Sequence, residues 1–469
     1  MNYQVSQHID NNKVFIVQRS EIEGRLEPEF YKPSIADLEK TIREKSSQKL
    51  RDYALFVSGG ATPKKTEGDK YYSDKETGVP FLRVQNLNTD GTLSFDDCLY
   101  INKETHEGML ARSQVSQGDL LVKITGVGRM AIASVAPEGF VGNTNQHMVV
   151  VKTGNKEISK YLARYLNLDI IEKIASRHST GGTRPALDYP SVKNLPIIEG
   201  IDFSPIDRAI ELKKQKESEA QKLLDSIDAY ILNELGITLS EIKTDLKNRI
   251  FKVNRSELEE RLDPTVYKDG IKLISNNYDN VKLSSVAYVN PTGTFKGKDI
   301  ETPISFIPME PIDEIYSEVS KLEDTTIENA SGFTKFKEGD LLWAKITPCM
   351  QNGKSAIAKN LTNGLGCGST EFFVMRNKDD RLAIEYLHVI LHMKCVRETA
   401  MLYFGGSAGQ QRVSSAFLEY FNLPLPPKDK QIEIANHVYT IRQKAKALQE
   451  EGKVLLEEAK RKVESMIIG

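Results

Sequence analysis

The chain has 469 residues, with 63 basic and 65 acidic side chains and a formal net charge of −2. This near-neutral charge provides no overall basic footprint of the kind that marks many nucleic-acid-binding proteins. The length is enough for two or three domains. No run approaches 18 apolar residues, and the first residues lack a signal-peptide pattern, so we expect a cytoplasmic protein without a membrane segment. Four cysteines without a Cys-x-x-Cys pair argue against zinc ribbons and disulfide scaffolds.

The chain is internally duplicated. Residues 19–32 contain Arg-Leu-Glu-Pro and then a tyrosine, and residues 255–268 contain Arg-Leu-Asp-Pro and then a tyrosine. Further blocks match in the same order: 118–125 with 339–347 (one residue inserted), 128–133 with 353–358, 161–162 with 386–387, 181–183 with 405–407, and 195–197 with 423–425. A repeat at half the chain length indicates a duplicated domain, since solenoid repeats are much shorter. Conserved order with drifting spacing predicts one scaffold carrying loops of different length.

Short strands and helices are predicted within each copy. Residues 120–125, 147–151 and 372–375 are apolar or β-branched runs bounded by turn residues, which predicts strands. Residues 158–174 and 382–395 are amphipathic at helical spacing. The sequence therefore predicts a repeated α+β domain.

Each copy ends in a long charged helix with an apolar seam. Residues 205–235 have no Gly or Pro before Gly236, which is expected to end the first helix, and a second helix is expected after Pro426-Pro427. The first seam comprises Ile206, Ile210, Ala220, Leu224, Ile227 and Ile231, with Lys213 and Glu217 in its polar slots. The second comprises Ile434, Val438, Ile441, Ala445, Leu448, Leu455, Ala459 and Met466, with Gly452 and Lys462 in the remaining slots. Steps of three and four predict that the helices pack together as an antiparallel coiled coil. A pair of core helices in an all-α subdomain is the alternative.

No catalytic or metal site is predicted. Gly353-Lys354-Ser355 resembles the end of a phosphate-binding loop, but the required glycine five residues earlier is Pro348. Gly126-Val127-Gly128 lacks the third glycine and the helix of a dinucleotide site. His388 and His392 have helical spacing, but their apolar neighbours favour helix packing or surface exposure over metal binding. Nucleophile-elbow and adenine-methyltransferase motifs are also missing.

The duplicated loops carry side chains suited to reading DNA bases. Arg and Lys can donate to guanine, Asn and Gln can pair with adenine, and Ser and Thr serve either. The candidate DNA-binding residues are Lys123, Thr125, Arg129, Asn145, Gln146, Arg177, Thr183 and Arg184 in the first copy, and Lys345, Thr347, Lys354, Ser369, Thr370, Gln410, Gln411 and Arg412 in the second. Ordinary surface loops are the alternative for each cluster. However, agreement of the framing residues combined with divergence of the loops suits a reader of two different half-sites.

Taken together, the repeated opening motif, the repeated Gly-Asp-Leu-Leu block with Lys-Ile-Thr, and the helix closing each copy resemble the specificity subunit of type I restriction–modification systems. The lead into the second helix, residues 423–427 followed by Gln431-Ile432, is also similar. This resemblance covers essentially the whole chain. It implies two target-recognition domains, 1–202 and 248–426, separated by spacer helices at 203–237 and 428–467.

The resemblance also implies a function and partners. The chain would be a non-catalytic subunit that recognises a bipartite target in double-stranded DNA. Two modification (methyltransferase) subunits would hold S-adenosylmethionine, and restriction (translocase/endonuclease) subunits would join them, with no cofactor in this chain. Two rival functions remain: a duplicated protein-binding adaptor without sequence-specific DNA contact, and a nuclease or methyltransferase with an unrecognised site.

Overall fold

The computed structural model of the protein describes residues 10–239, 252–255, 258, 263–406 and 410–469. The chain divides into two compact units: unit 1 contains residues 1–215 and 451–469, and unit 2 contains residues 216–450. Both long helices therefore contribute to both units.

Unit 1 combines two small sheets with helices. Its strands are β1 (Phe56–Gly59), β2 (Val79–Leu82), β3 (Leu99–Ile101), β4 (Gln114–Ser116), β5 (Leu120–Lys123), β6 (Ala133–Val135), β7 (Val141–Thr144) and β8 (Met148–Lys152). Its helices are α1 (Pro33–Lys45), α2 (Gly68–Tyr71), α3 (Lys103–Glu107), α4 (Lys156–Leu166), α5 (Asp169–His178), α6 (Tyr189–Lys193) and the first part of α7 (Ser204–Glu234).

The strands of unit 1 form two four-stranded sheets in the described residues, with orders β1-β8-β5-β6 and β3-β2-β7-β4. Strand β5 is buried along its whole length, which suits its apolar Leu-Leu-Val run, and Lys123 at its end is buried as well. It pairs antiparallel with β6 and β8, and α4 and α5 complete the core that covers it.

Unit 2 repeats this plan. Its strands are β9 (Asp279–Lys282), β10 (Ala287–Val289), β11 (Pro303–Ile307), β12 (Glu323–Thr326), β13 (Thr334–Lys337), β14 (Leu341–Ala344), β15 (Ser355–Ile357), β16 (Leu365–Gly368), β17 (Phe372–Asn377), β18 (Phe404–Gly405), β19 (Arg412–Val413) and β20 (Asn422–Leu425). Its helices are α8 (Pro264–Asp269), α9 (Leu283–Val286), α10 (Cys349–Asn352), α11 (Ile384–His392), α12 (Lys394–Met401), α13 (Ser415–Tyr420) and most of α14 (Lys428–Ile468).

The four-stranded sheets of the two units have the same topology. Those of unit 2 have orders β10-β17-β14-β15 and β12-β11-β16-β13, which match those of unit 1 strand for strand. Unit 2 also has two two-stranded sheets, β18-β19 and β20-β9. The turn before the central strand is also the same, because Asp119 accepts from the Ser116 N–H and Asp340 from the Lys337 N–H, both at 2.8 Å. The predicted duplication of an α+β domain is thus observed in the fold.

The predicted helices 158–174 and 382–395 are each broken in two. In unit 1, the Asn167 side chain bonds both backbone groups of Ala133 on β6, and buried Leu168 is extended, so α5 starts anew at Asp169. In unit 2, Met393 is extended between α11 and α12. At Asn167, a tertiary contact overrides the helical periodicity.

Gly236 ends α7 as predicted. Its φ is +62°, and the N–H of Ile237 donates to the Leu232 carbonyl at 2.8 Å, which closes the last turn. Within unit 2, Tyr230 stacks on His437 with centroids 4.1 Å apart, and Glu234 pairs with Lys430 at 2.6 Å. These pairs show that α7 and α14 run in opposite directions there.

The apolar seam of α14 departs from the prediction near its end. Ile434, Val438 and Ala445 are buried, but the predicted seam residue Met466 is 57% exposed. The buried row instead continues through Leu456, Val463 and Ile467. A straight helix has 3.6 residues per turn, so a seam counted in heptads drifts by about 20° per heptad. Gly452 supports the packing, since a Cβ there would lie 3.2 Å from Cγ of Lys213 within unit 1. Among the described helices, none is long and apolar enough to cross a membrane.

Candidate nucleic-acid interface

Three loops of unit 1 are joined by backbone hydrogen bonds at the end of β5. We call residues 124–130, 145–147 and 179–187 the unit 1 loop cluster. The Ile124 N–H donates to the His147 carbonyl at 2.9 Å, and its own carbonyl accepts from the Leu187 N–H at 2.7 Å. The Gly126 N–H then donates to the Pro185 carbonyl at 3.0 Å. Loops that are distant in sequence are therefore fixed beside one another.

Unit 2 has the same hydrogen-bond frame. Its loop cluster comprises residues 345–352, 369–371 and 405–413, of which 407–409 lie outside the described residues. The Lys345 N–H donates to the Glu371 carbonyl, and the Lys345 carbonyl accepts from the Val413 N–H, both at 2.9 Å. The Thr347 N–H donates to the Gln411 carbonyl at 3.0 Å. The frame thus makes Ile124 equivalent to Lys345, and Pro185 equivalent to Gln411.

This frame corrects three sequence matches. Lys123 is equivalent to Ala344 and not to Lys345, because the register of β5 with β8 equals that of β14 with β17. The residue inserted in the second copy therefore lies in the loop after β14 and not within the strand. Block 128–133 is displaced by three from its predicted match, since Ala131 takes the place of Gly353, both with positive φ. Gly181 corresponds to Gly406, whereas the predicted match paired it with Gly405. The predicted match of 181–183 with 405–407 also includes residue 407, which lies outside the described residues. Short glycine motifs cannot fix a register that strand pairing determines.

Several predicted contact residues are exposed on the loop clusters. Gln146, Thr183 and Arg184 are exposed in unit 1. Gln146 shares a hydrogen bond with Thr62. Burial lowers the pKa of the neighbouring His147, and the positive charge of Arg184 lowers it further. In unit 2, the exposed residues are Thr370, Gln410 and Arg412. These six residues can reach a ligand that approaches the clusters.

Arg412 is held by an acidic neighbour in unit 2. Its guanidinium donates to both carboxylate oxygens of Glu371, at 2.7 and 2.9 Å. The side chain of Arg412 is nevertheless 43% exposed. Its Nη1 also donates to the Gln410 carbonyl at 3.0 Å, so one hydrogen on each of Nη1 and Nη2 is left for a further acceptor.

Two predicted basic contacts of unit 1 have internal roles. Lys123 is 3% exposed, its ammonium donates to the Val127 carbonyl at 2.8 Å, and burial lowers its pKa. Arg129 pairs with Asp169 and donates to the Asn167 carbonyl at 2.6 Å. These side chains shape the loop after β5, so as placed here they are not presented to a base.

Arg177 fastens the opening motif to the end of α5. It donates to the Phe30 carbonyl at 2.7 Å and to Glu39 at 2.6 Å, and its guanidinium lies 4.4 Å from the Phe30 ring centroid. Arg25 lies at the same distance from that ring and donates to the Ser179 carbonyl. The opening motif therefore supports the start of loop 179–187. Its second copy lies partly outside the described residues.

The other predicted residues are partly or fully enclosed. Asn145 is buried and accepts from the His147 N–H at 3.1 Å, while half-buried Thr125 bridges to residue 186. In unit 2, the Lys345 ammonium lies 5.6 Å from the Phe373 ring centroid, and Lys354 donates to the Met309 carbonyl at 3.1 Å. The remaining members, Thr347, Ser369 and Gln411, are half-buried parts of the frame.

The structure adds a segment that the sequence analysis missed. Residues 60–64 follow β1 and bring Thr62 to Gln146. Gly60 allows this approach, since a Cβ there would lie 1.9 Å from the Thr144 carbonyl oxygen. The exposed Lys64 follows in the same segment. The Gly-Gly-Ala-Thr-Pro-Lys run was the available signal, but without an equivalent run in the second copy it did not stand out.

No metal site is present among the described residues, because no three His, Cys, Asp or Glu side chains are grouped suitably. The predicted packing role of the two histidines of α11 agrees with their contacts. His388 is bonded to Ser355 at 3.0 Å, and His392 to the Glu314 carbonyl at 3.0 Å. Burial lowers the pKa of His388 to about 3, so it is neutral at physiological pH.

Comparison with known proteins gives a family-model match within the second half of the chain. Residues 275–457 match the family model described as the type I restriction modification DNA specificity domain. The chain therefore carries such a domain, and the predicted resemblance to this family is confirmed. Two relatives from Escherichia coli are similar: the type I restriction enzyme EcoEI specificity subunit, 35% identical over 34% of this chain, and the EcoAI specificity subunit, 34% identical over 38%.

These matches cover 27% and 29% of the relatives, so the chain spans about a quarter of the length of the curated relatives that it matches. Among solved structures, the chain is similar to one described as the structural basis of complex assembly and conformational transition of the type I R-M system. The TM-score is 0.44 and the identity 16%, and the match covers 90% of this chain and 95% of that chain. The HsdS subunit of Thermoanaerobacter tengcongensis gives TM-score 0.32, 14% identity, and coverage of 90% and 94%.

Proposed function

We propose that this protein is the non-catalytic DNA-recognition subunit of a type I restriction–modification complex. Each unit would read one half of a bipartite target in double-stranded DNA. The observation that carries this proposal is the pair of loop clusters, which share one backbone hydrogen-bond frame and differ in their exposed side chains. A shared frame with different polar side chains suits the reading of two different base sequences.

The exposed side chains fit direct contact with base edges. Arg184 and Arg412 would donate to guanine, and Gln146 and Gln410 would pair with adenine. Thr183 and Thr370 can serve either base. The enclosed residues, such as Lys123 and Arg177, would hold the loops in position without touching DNA. This division leaves six residues as the primary candidates for base contact.

The long helices would set the distance between the half-sites. Half-sites about 10–14 bp apart, roughly one helical turn, would match two readers on the same side of the duplex. The helices would also dock two modification subunits, which would carry S-adenosylmethionine and the methyltransferase activity. Restriction subunits would join this core in the cytoplasm. Phosphate contacts made by these partners would compensate for the near-neutral charge of this chain.

Co-expression with the modification subunit of the same restriction–modification system provides the test. The purified complex should retard duplexes containing a bipartite target, and competitors with either half-site scrambled should lose affinity by at least about tenfold, since each mismatched pair costs about 1–3 kcal/mol. A target with only the spacer sequence scrambled, at constant length, is the control and should compete fully. Co-purification without any sequence-dependent DNA binding would instead favour the protein-binding adaptor. Methylation or cleavage by the isolated chain would favour an unrecognised enzyme.

A further inference from the structure

A carboxylate on α14 caps the start of α5 in unit 1. Helix α5 begins after Leu168, whose side chain cannot cap it. The carboxylate of Glu464 accepts from the N–H groups of Asp169 and Ile170, the latter at 3.2 Å. Glu464 is only 9% exposed, so this cap is an internal contact. It satisfies donors that a helix start otherwise leaves without partners.

Unit 2 has the same device built from a different part of the chain. Helix α12 begins after Met393, which also provides no side-chain cap. The carboxylate of Asp228, on α7, accepts from the Lys394 N–H at 2.9 Å. Asp169 and Lys394 are the first residues of equivalent helices. Each long helix thus supplies, from its carboxyl-terminal part, one cap to the helix that leads into a loop cluster.

The capped helix of unit 1 is tied to the loop after β5. Arg129 on that loop pairs with Asp169 and also bonds the carbonyl of Asn167. The N–H of Met130 donates to Glu172 of α5 at 3.3 Å. The start of α5 is therefore held on one side by the long helix and on the other by the loop cluster.

The capped helix of unit 2 is tied to its loop cluster by another arginine. Arg397 of α12 donates to the Gln351 carbonyl in loop 345–352. Its Nε donates to the His392 carbonyl at 3.1 Å, which fixes the side chain at the helix start. The connection from long helix to cap to loop is thus present in both units with different residues.

We propose that Glu464 and Asp228 are positioning residues for sequence recognition: each sets the pose of one loop cluster by capping the helix to which that cluster is tied. This inference rests on the proposed DNA-recognition function. The capping hydrogen bonds of each carboxylate lie within one unit, so each should control one half-site. Neither residue touches DNA in this scheme.

The chemistry of the cap separates positioning from simple packing. Burial raises the pKa of both carboxyl groups. An amide keeps the acceptor oxygen without burying a charge. Glu464→Gln and Asp228→Asn should therefore retain recognition, whereas Glu464→Ala and Asp228→Ala should impair it. Glu464→Asp, one methylene shorter, is a milder variant if the alanine form does not fold. Glu458→Ala and Glu219→Ala are exposed controls on the same two helices.

The experiment measures competition binding of the full chain in complex with its modification partner, using duplexes altered in one half-site at a time. Glu464→Ala should reduce discrimination at one half-site by about fivefold, which corresponds to a lost cap of about 1 kcal/mol. Asp228→Ala should do the same at the other half-site. Amide hydrogen exchange provides a readout without DNA: Glu464→Ala should accelerate exchange in residues 124–130 and leave 345–352 unchanged, and Asp228→Ala should do the reverse.

Equal losses at both half-sites, or unchanged discrimination in the alanine variants, would overturn the inference. Accelerated exchange throughout a unit, with no preference for its loop cluster, would also contradict it, since that would indicate a purely structural cap. If the wild-type complex discriminates DNA sequences and the alanine variants discriminate them equally well, only this inference fails. If the wild-type complex shows no sequence preference, the proposed function fails, and this inference with it.

Discussion

Arg412 and Glu371 form a two-pronged ion pair on the loop cluster of unit 2, with N–O distances of 2.7 and 2.9 Å. The equivalent positions of unit 1 hold Ala186 and His147, because the strand pairing and the loop hydrogen bonds have the same register. One backbone frame therefore carries a charged pair in one unit and neither partner of that pair in the other. This difference is what a protein with two separate half-sites requires.

Arg412→Ala should affect recognition and leave stability unchanged. The ion pair is partly exposed, so its loss should leave the free energy of unfolding nearly unchanged. A lost guanine contact should reduce discrimination at one base pair by about 1–3 kcal/mol. Competition binding with single-base-pair substitutions checks this. Arg381→Ala removes a similarly exposed arginine paired with Asp379 and is the matched control. Equal effects of both variants would contradict the assignment of Arg412.

Glu39→Gln should destabilise unit 1 in a pH-dependent way. Burial alone would raise the pKa of Glu39, but hydrogen bonds from His178, Arg177 and Arg43 hold it at about 2, below its ordinary value of 4.5. A depressed carboxyl pKa contributes stability that is present above about pH 4.5 and is lost as pH falls towards 2. The contribution is roughly 3 kcal/mol at neutral pH.

Urea unfolding of wild type and Glu39→Gln at several pH values tests this expectation. The difference in unfolding free energy, followed by circular dichroism, should shrink between pH 4.5 and 2. Trp343, the only tryptophan, lies in the core of unit 2, so its fluorescence reports on that unit. The unfolding transition followed by this fluorescence is the internal control, and it should be the same in wild type and Glu39→Gln. A difference that stays constant with pH would rule out the ionic role of Glu39.

Ile467→Ala and Met466→Ala should differ sharply although they are adjacent. Ile467 is 5% exposed and belongs to the core of unit 1, whereas Met466 is 57% exposed. Truncating the isoleucine should cost about 2–5 kcal/mol, and truncating the methionine about 0.5 kcal/mol or less. Thermal unfolding of the two variants measures this. A larger loss of stability in Met466→Ala than in Ile467→Ala would support the predicted uninterrupted heptad seam.

Lengthening both long helices together should change the recognised spacer. Seven residues inserted after residue 215 and seven after residue 450 add two helical turns, about 10.5 Å, to each helix. This corresponds to about three base pairs of duplex. Methylation mapping should then show the same half-sites with a longer spacer. Insertion in only one helix is the control and should abolish binding. Loss of one half-site in the double insertion would refute the spacer role.

The sequence predicted the duplication and both long helices because these depend on patterns within the chain. Gly236 and the periodicity of α7 are local signals that no tertiary contact overrides. The helix breaks at Asn167 and Met393 could not be predicted, since one depends on a hydrogen bond to β6 and both residues join segments that remain amphipathic. Pattern matching captured the scaffold and missed its interruptions.

The candidate site was predicted in part for a similar physical reason. Residue type identifies possible base contacts, but not whether a side chain points outwards. Lys123 and Arg184 both suit guanine, yet only Arg184 is exposed, because Lys123 belongs to β5, which is buried at every residue. Caps such as Glu464 leave no local signal, since their partners lie almost three hundred residues away in the chain.

The central claim is that two units read two half-sites, and mapping methylated adenines in a genome that carries this chain with its modification partner tests it most directly. Deleting this chain is the control and should remove the methylation. The account predicts a bipartite motif, with two unlike half-sites separated by a spacer of fixed length. A short continuous palindrome that disappears on deletion of this chain would contradict it.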